Sequence, residues 1–106
     1  MEIIFAHSKL NKFFSSLEPT VRAELKKMME LLAIHGSNLR EPDSKSLGNG
    51  LFELRIIDQV HVRVIYIFWR NNAVLLHGFV KKTVKMPVKD LRYAKQMKKR
   101  FLDICE

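Results

Sequence analysis

Residues 51–80, with the sequence LFELRIIDQVHVRVIYIFWRNNAVLLHGFV, decide the fold of this chain. Apolar and polar side chains alternate from Leu51 to Ile57, and a longer apolar run from His61 to Trp69 follows a short polar break. Period-two alternation and β-branched residues are typical of strands. Asn71-Asn72 then predicts a hairpin turn, because asparagine tolerates positive φ. With a further strand over residues 73–80, the stretch predicts three consecutive antiparallel strands.

The parity of the side chains predicts the register of the first hairpin. A three-residue turn at 58–60 pairs Arg55 with Arg63, whereas a two-residue turn would bury Arg63 beside Leu54, at the cost of burying an unpaired charge. The odd turn puts these apolar residues on one packed face: Phe52, Leu54, Ile56, Val62, Val64, Tyr66 and Phe68. We expect the other face to be partly open and basic, and to carry Glu53, Arg55, His61 and Arg63.

The second hairpin extends this basic face. A turn at Asn71-Asn72 places Val80 opposite Arg63 and Gly78 opposite Ile65. Because Gly78 has no side chain, it leaves room for a ligand to approach this face. Phe79 could stack on a base, but the same register favours a place for it in the core.

The flanking segments predict helices and one more strand. A β-rich run over residues 2–6 predicts a first strand, and apolar residues spaced three and four apart over residues 10–17 predict a helix. Pro19 suits the first turn of a second helix, Gly36 suits its end, and residues 37–49 predict a loop. Pro87 opens a last helix, with Val88, Leu91, Ala94, Met97, Phe101 and Ile104 on its apolar face. We predict one α+β domain over residues 1–106, of order β-α-α-β-β-β-α, with a mostly antiparallel twisted sheet packed against the N-terminal helical hairpin.

Composition narrows the class of protein. The 106 residues include 19 Lys and Arg against 11 Asp and Glu, a net charge of +8, and the last thirty residues carry nine basic and three acidic side chains. Such asymmetry suggests a polyanionic partner, although it also serves solubility. Cys105 stands alone, so neither an internal disulfide nor a cysteine zinc site is possible. The longest apolar run has six residues, against about 20 for a membrane span, which favours a small cytoplasmic domain without a membrane segment.

Two groups of residues carry possible chemistry. The four histidines show no paired metal-ligand spacing, and no glycine loop for phosphate is present, so we expect neither a metal site nor a cofactor. Arg55 and Arg63 share one sheet face, and Lys81 and Lys82 follow the third strand. Guanidinium groups bind phosphate as a fixed fork, and lysines at a strand exit can reach the same anion. Further candidates, each also explained by packing alone, are His61, His77 and Tyr93.

Three segments resemble a known family: LFELR at 51–55, VRVIY at 62–66, and HGFVKKT at 77–83 with Pro87 shortly after. The chain resembles the HigB-like, phage-derived branch of the RelE/ParE toxin superfamily. The resemblance implies a toxin of a type II toxin–antitoxin pair, neutralised by an antitoxin with a helix-turn-helix DNA-binding domain. The toxin would then contact operator DNA only indirectly, through the antitoxin. RelE- and HigB-type members cut mRNA on the ribosome without a metal ion, by attack of the ribose 2′-hydroxyl on the adjacent phosphate.

The resemblance also implies roles for residues. Arg63 would stabilise the scissile phosphate, assisted by Arg55 on the neighbouring strand. One lysine of the Lys81-Lys82 pair would orient or deprotonate the 2′-hydroxyl, and an ammonium group or His77 would protonate the leaving oxygen. RNA contacts are expected from the cations of the last loop and helix, which could instead hold an acidic antitoxin segment: Lys85, Lys89, Arg92 and Lys95.

The pattern departs from RelE in two places. Glu53 stands where RelE-type members have a lysine, and no tyrosine follows Lys81-Lys82 at the RelE spacing. Two alternatives therefore stay open: a non-enzymatic ParE-like toxin that inhibits DNA gyrase, and a simple nucleic-acid-binding module.

Overall fold

A computed structural model describes residues 1–57 and 61–105, which form an α+β fold around a five-stranded sheet. The elements are β1 (Ile3–Phe5), α1 (Lys9–Ser16), α2 (Pro19–His35), a 3-10 turn (Gly36–Asn38), β2 (Ser44–Gly48), β3 (Leu51–Ile57), β4 (His61–Trp69), β5 (Asn72–Val80) and α3 (Val88–Cys105). The strand order is β1-β5-β4-β3-β2, with β1 parallel to β5 and the other neighbours antiparallel. The predicted fold class is confirmed.

The helical hairpin covers one face of the sheet, as predicted. The buried side chains of α1 are Leu10 and Phe14, which stand four residues apart and so lie on one side of the helix. Pro19 begins α2, and Gly36 ends it with a φ of 54°, a value that favours glycine. The two helices enclose a core with the predicted face of β3 and β4, including Leu54 and Val64.

The register between β3 and β4 is the predicted one. Arg55 pairs with Arg63, and Leu54 pairs with Val64. The predicted turn at 58–60 lies outside the described residues. The apolar parity of the two strands was therefore sufficient to align them.

The predicted loop over residues 37–49 was partly wrong, because residues 44–48 form the edge strand β2. The order of elements accordingly gains one strand. Its sequence, SKSLG, has no β-branched residue, and its pairing with β3 orders it instead. A hydrogen bond between the hydroxyls of Ser44 and Tyr66 ties this edge to the buried centre of the sheet.

The predicted position of the second turn was also wrong. Arg70 and Asn71 occupy the turn, with φ values of 48° and 61°, and Asn72 already pairs with Trp69. A bulge beside Ile65 then shifts the pairing again. Arg63 consequently lies opposite Phe79 rather than Val80, and Ile65 lies opposite His77 rather than Gly78. Phe79 is buried, as expected, although its partner differs from the predicted one.

The second face of the sheet is mostly covered, which corrects the expectation of a partly open face. Helix α3 packs on it, and Ala94 and Met97 join a buried cluster with Ile65, Ile67 and Leu76. The ends of the predicted apolar stripe do not take part, because Val88 is 68% exposed and Ile104 is 84% exposed. One corner of this face is polar and contains Glu53, Arg55 and Arg63.

Gly78 faces the helical hairpin and not the basic face, so its predicted role was wrong. A Cβ atom added at this position would lie 2.7 Å from two ring carbons of Phe13. The glycine therefore allows the Phe13 ring to lie directly against β5.

We expect Gly78→Ala to lower the free energy of unfolding by about 1–3 kcal/mol, because overpacking a filled site forces side chains or backbone to shift. Urea denaturation of the purified protein measures this loss. Adding Phe13→Leu should restore part of it by vacating the position of the ring. An alanine variant as stable as the parent would contradict the contact.

Candidate functional site

A buried carboxylate with three cations around it lies at the polar corner of the sheet. Glu53 is only 1% exposed. Its Oε1 lies 3.1 Å from the Nε of Arg55 and 3.6 Å from the Nε of Arg63, and its Oε2 lies 4.0 Å from the Nζ of Lys81. We call these four residues the Glu53 cluster. Three of them, Arg55, Arg63 and Lys81, are predicted site residues that the structure brings together.

Three adjacent strands hold the cluster in place. Glu53 and Arg55 are two residues apart on β3 and so point to the same face. Arg63 is the direct partner of Arg55 on β4. Lys81 follows β5, and its backbone N–H donates a hydrogen bond of 2.8 Å to the carbonyl of His61, which extends the pairing by one residue. Charged groups on paired strands hold their geometry better than groups on loops.

The electrostatics of the cluster favour an anion. One carboxylate opposes three cations, so two positive charges remain uncompensated when all four groups are ionised. Burial lowers the pKa of Arg63 below its ordinary value; the charge of Glu53 opposes this shift, and that of Arg55 adds to it. An arginine nevertheless stays protonated at neutral pH. The site therefore presents a desolvated guanidinium that an incoming phosphate would stabilise.

Hydrogen-bonding capacity is left over in the cluster. A terminal nitrogen of Arg63 donates to the carbonyl of Val62 at 3.2 Å. Within the described part of the chain, the Nε of Arg63 and the Oε2 of Glu53 are buried without a hydrogen-bond partner. Buried polar atoms are nearly always paired in folded proteins, so these two atoms are exceptions in a cluster where the Nε of Arg55 donates to Oε1 of Glu53 at 3.1 Å.

A groove of about 360 Å³ opens beside the cluster. Its lining residues are His61, Arg63, Lys81, Lys82, Thr83 and Val84. Lys81 is a half-buried wall of this groove, while Lys82 and His61 are exposed at its mouth. Arg63 of β4 and Lys81 after β5 thus line the same opening.

Two other predicted residues, His77 and Tyr93, lie in a separate place. They line a cavity of about 520 Å³ between α1, β5 and α3, together with Lys89 and Arg92. The Nε2 of His77 donates to Oδ1 of Asp90 at 2.7 Å, and its ring centroid lies 4.7 Å from that of Tyr93. The structure therefore does not bring this pair to the Glu53 cluster.

The remaining predicted RNA contacts are surface residues. Lys85 is exposed in the segment before α3, and Lys95 is exposed on α3. Neither of them lines the groove or the cavity.

Residues 12–99 match the family described as phage derived protein Gp49-like (DUF891). This chain belongs to the Gp49-like family. It is a family of toxin-like proteins of toxin–antitoxin systems. The match covers every residue of the Glu53 cluster and of the groove beside it. No curated protein matches the chain.

Glu53 is the residue of this Gp49-like protein whose role the sequence reasoning missed. It was placed on the correct face, yet it counted there only as a departure that weakens the positive charge. In the structure it is the centre around which the cations gather. The signal was available, because the predicted register already put this carboxylate on the same face as the directly paired Arg55 and Arg63.

Two negative findings concern the described residues, 1–57 and 61–105. In this part of the Gp49-like chain, no group of three or more His, Cys, Asp or Glu side chains is arranged to hold a metal ion. No helix there combines the length and the apolar character that crossing a membrane requires.

Proposed function

We propose that this Gp49-like protein is the toxin of a type II toxin–antitoxin pair and that it cleaves mRNA on the ribosome. One observation carries the proposal: Arg63 of β4 and Lys81 after β5 line one groove beside a buried carboxylate, and Arg55 of β3 is a third cation against that carboxylate. Phosphoryl transfer needs such an arrangement, because positioning and charge stabilisation supply most of its catalysis.

The chemistry uses the RNA as its own nucleophile. The 2′-oxygen of the ribose attacks the adjacent phosphorus as its proton leaves to a base. The bond from phosphorus to the 5′-oxygen breaks, and a proton from an acid completes the leaving hydroxyl. The products are a 2′,3′-cyclic phosphate and a 5′-hydroxyl end, so atoms and protons balance without an added cofactor.

The residues of the Glu53 cluster, together with His61 of the groove, each have a part in this proposal. Arg63 contacts the phosphate, where its fork stabilises charge that develops in the pentacoordinate state. Arg55 and Lys81 add positive charge. His61 lines the groove and carries an imidazole, a group that both accepts and donates protons near neutral pH. Glu53 is a positioning residue, since its buried carboxylate holds the cations in one place.

The partners follow from the same proposal. The antitoxin is a helix-turn-helix protein that also carries the pair to operator DNA. Ribosomal RNA is the proposed partner of the exposed cations outside the groove, which include Lys85 and Lys95. Contacts of this kind weaken steeply as the salt concentration rises.

Induced expression in a bacterial host tests the function. Primer extension should map new mRNA ends within translated regions, and a message whose start codon is destroyed should stay intact. Intact mRNA together with an SOS response would overturn the proposal in favour of gyrase inhibition. Salt-sensitive binding of nucleic acid without growth arrest would overturn it in favour of a simple binding module.

The two neighbouring lysines are expected to differ. Lys81 has a side chain only 14% exposed and lies near Glu53, whereas Lys82 is exposed to solvent, which screens its charge. We expect Lys81→Ala to lower the cleavage rate by about 100-fold and Lys82→Ala by less than about tenfold. Single-turnover cleavage on programmed ribosomes measures both rates. A larger loss from Lys82→Ala would contradict the assignment of Lys81 to the phosphate.

A further inference from the structure

The cavity between α1, β5 and α3 has the properties of a ligand site, although it lies apart from the Glu53 cluster. Its volume is about 520 Å³, inside the range of about 300–1,000 Å³ that is typical of small-molecule sites. Leu10 and Phe13 contribute an apolar wall, and Tyr93 contributes an aromatic one. Gly78 keeps the Phe13 ring in this wall, because any side chain there would displace it.

The aromatic groups of the cavity are held in fixed positions. His77 donates to Asp90 at 2.7 Å, stacks on Phe79 at 5.4 Å and meets Tyr93 edge-on at 4.7 Å. A bulge in β5 contributes to this arrangement. Leu75 pairs with Tyr66 and His77 pairs with Ile65, so Leu76 is the extra residue on β5. A rigid aromatic wall loses little conformational entropy when a flat ligand stacks on it.

His7 adds a polar atom without a partner. Its Nε2 donates to the carbonyl of Leu76 at 2.8 Å, so in the neutral ring Nδ1 is an acceptor. That Nδ1 is buried and has no hydrogen-bond partner among the described residues. Leaving a buried acceptor unpaired costs free energy, which a ligand donor in this cavity could recover.

The charges at the mouth of the cavity favour an anion. Lys9, Lys89 and Arg92 are exposed lining residues, whereas the acidic lining residue, Asp90, is paired with His77. A ligand that combines a flat apolar ring, hydrogen-bond donors and a negative group fits these walls and this rim. A nucleotide has all three properties.

The position of the cavity relates it to the groove. His77 and Lys81 are four residues apart along one strand and its continuation, a separation of roughly 13 Å at 3.3 Å per residue. Alternate residues of a strand face the same way, so both lie on the α3 side of the sheet. An RNA strand with one phosphate in the groove could therefore place a nearby base in the cavity.

We propose that this cavity binds a nucleobase of the RNA substrate beside the cleavage point, with Tyr93 as its stacking platform and Lys89 and Arg92 on the adjoining phosphate. The inference rests on the proposed function, since it assigns a second part of the same substrate. Base stacking on aromatic side chains tolerates different sequences, because every base has a π face. The subsite would hold the strand in register while the Glu53 cluster acts on its phosphate.

Direct binding of mononucleotides tests the proposal without any cleavage. The purified protein is titrated with AMP, GMP, CMP and UMP, and with ribose 5-phosphate as the probe that lacks a base, while amide chemical shifts are recorded. Saturable shifts around Gly78, Tyr93 and Gln96 are expected with at least one nucleotide. We expect Tyr93→Leu to weaken its binding by about 5- to 150-fold, whereas Lys99→Ala, at an exposed position of α3 that does not line the cavity, leaves it unchanged.

Several outcomes would overturn the subsite: binding of ribose 5-phosphate as tight as that of the nucleotides, equal binding by a folded Tyr93→Leu protein, or no shifts in the cavity. If Tyr93→Leu fails to fold, Lys89→Ala together with Arg92→Ala at the exposed rim should weaken AMP but not adenosine. Nucleotide binding by a protein that cuts no mRNA would support the subsite and count against the proposed function. Cleavage of mRNA by a protein that binds no nucleotide would support the proposed function and count against the subsite.

Discussion

Replacing Arg63 by alanine is expected to lower the rate of mRNA cleavage by about 100- to 1,000-fold, the usual loss when one group that stabilises transition-state charge is removed. The Nε of Arg63 lies 3.6 Å from Glu53, and Arg63 lines the groove, which Arg55, the other arginine of the Glu53 cluster, does not. Its desolvated charge acts more strongly than a charge in water would. Growth arrest after induction should disappear together with cleavage.

The control for this change is an arginine of equal charge away from the site. Arg100 is exposed on α3, and Arg100→Ala should leave the rate within a few-fold of the parent. Arg63→Lys keeps the charge but loses the planar fork, so we expect an intermediate rate. Circular dichroism and antitoxin binding show whether each variant is folded. A folded Arg63→Ala protein that cleaves at the parental rate would eliminate Arg63 from the phosphate site.

Replacing Glu53 by alanine is expected to lower the free energy of unfolding by about 3–5 kcal/mol, because it leaves the buried charge of Arg63 without its counter-ion. The carboxylate is 1% exposed and lies within 4.0 Å of three cations. Without it, Arg55, Arg63 and Lys81 repel one another. We also expect slower cleavage by any protein that still folds, since the cations separate.

Denaturation in urea measures the loss, and an exposed ion pair supplies the control. Glu24 lies 3.9 Å from Lys27 with its side chain 36% exposed, so Glu24→Ala makes the same change of charge on the surface. Such pairs contribute at most about 1 kcal/mol. Glu53→Gln should fall between the two, because its amide oxygen still accepts a hydrogen bond. Equal losses in the free energy of unfolding at positions 53 and 24 would show that burial does not make the ion pairs of the Glu53 cluster more stabilising than a surface pair.

The alignment of β3 with β4 was predictable from the sequence. Only one parity keeps both Arg55 and Arg63 out of the packed face that contains Leu54, and the structure has that register. The helical hairpin was equally predictable, because Pro19 and Gly36 mark the two ends of α2.

The bulge and the edge strand could not be predicted in the same way. A bulge adds one residue without changing the apolar character of β5, so the pairing of Ile65 with His77 leaves no mark in the pattern. Ser44–Gly48 becomes a strand through its pairing with β3 and not through its own residues. Both features depend on tertiary contacts, which override local preferences.

The sequence of β4 contains a signal that the second face of the sheet is covered. Val64 to Trp69 is apolar at every position, and a strand buried on both sides reads in this way. Arg55, Arg63 and Lys81 were nevertheless correctly placed together, because the predicted register pairs the two arginines and Lys81 follows the neighbouring strand. The cavity had no such signal, since His7 and Tyr93 meet only through the fold.

The parallel pairing of β1 with β5 sets an order for folding. Ile3 pairs with Ala73, so this strand finds its partner only after 70 further residues have been made. The antiparallel pairs of β3, β4 and β5 close much shorter loops, and contacts between near neighbours in sequence form faster. The strand β1 is therefore expected to join the sheet last, after Arg55 and Arg63 are already aligned on β3 and β4.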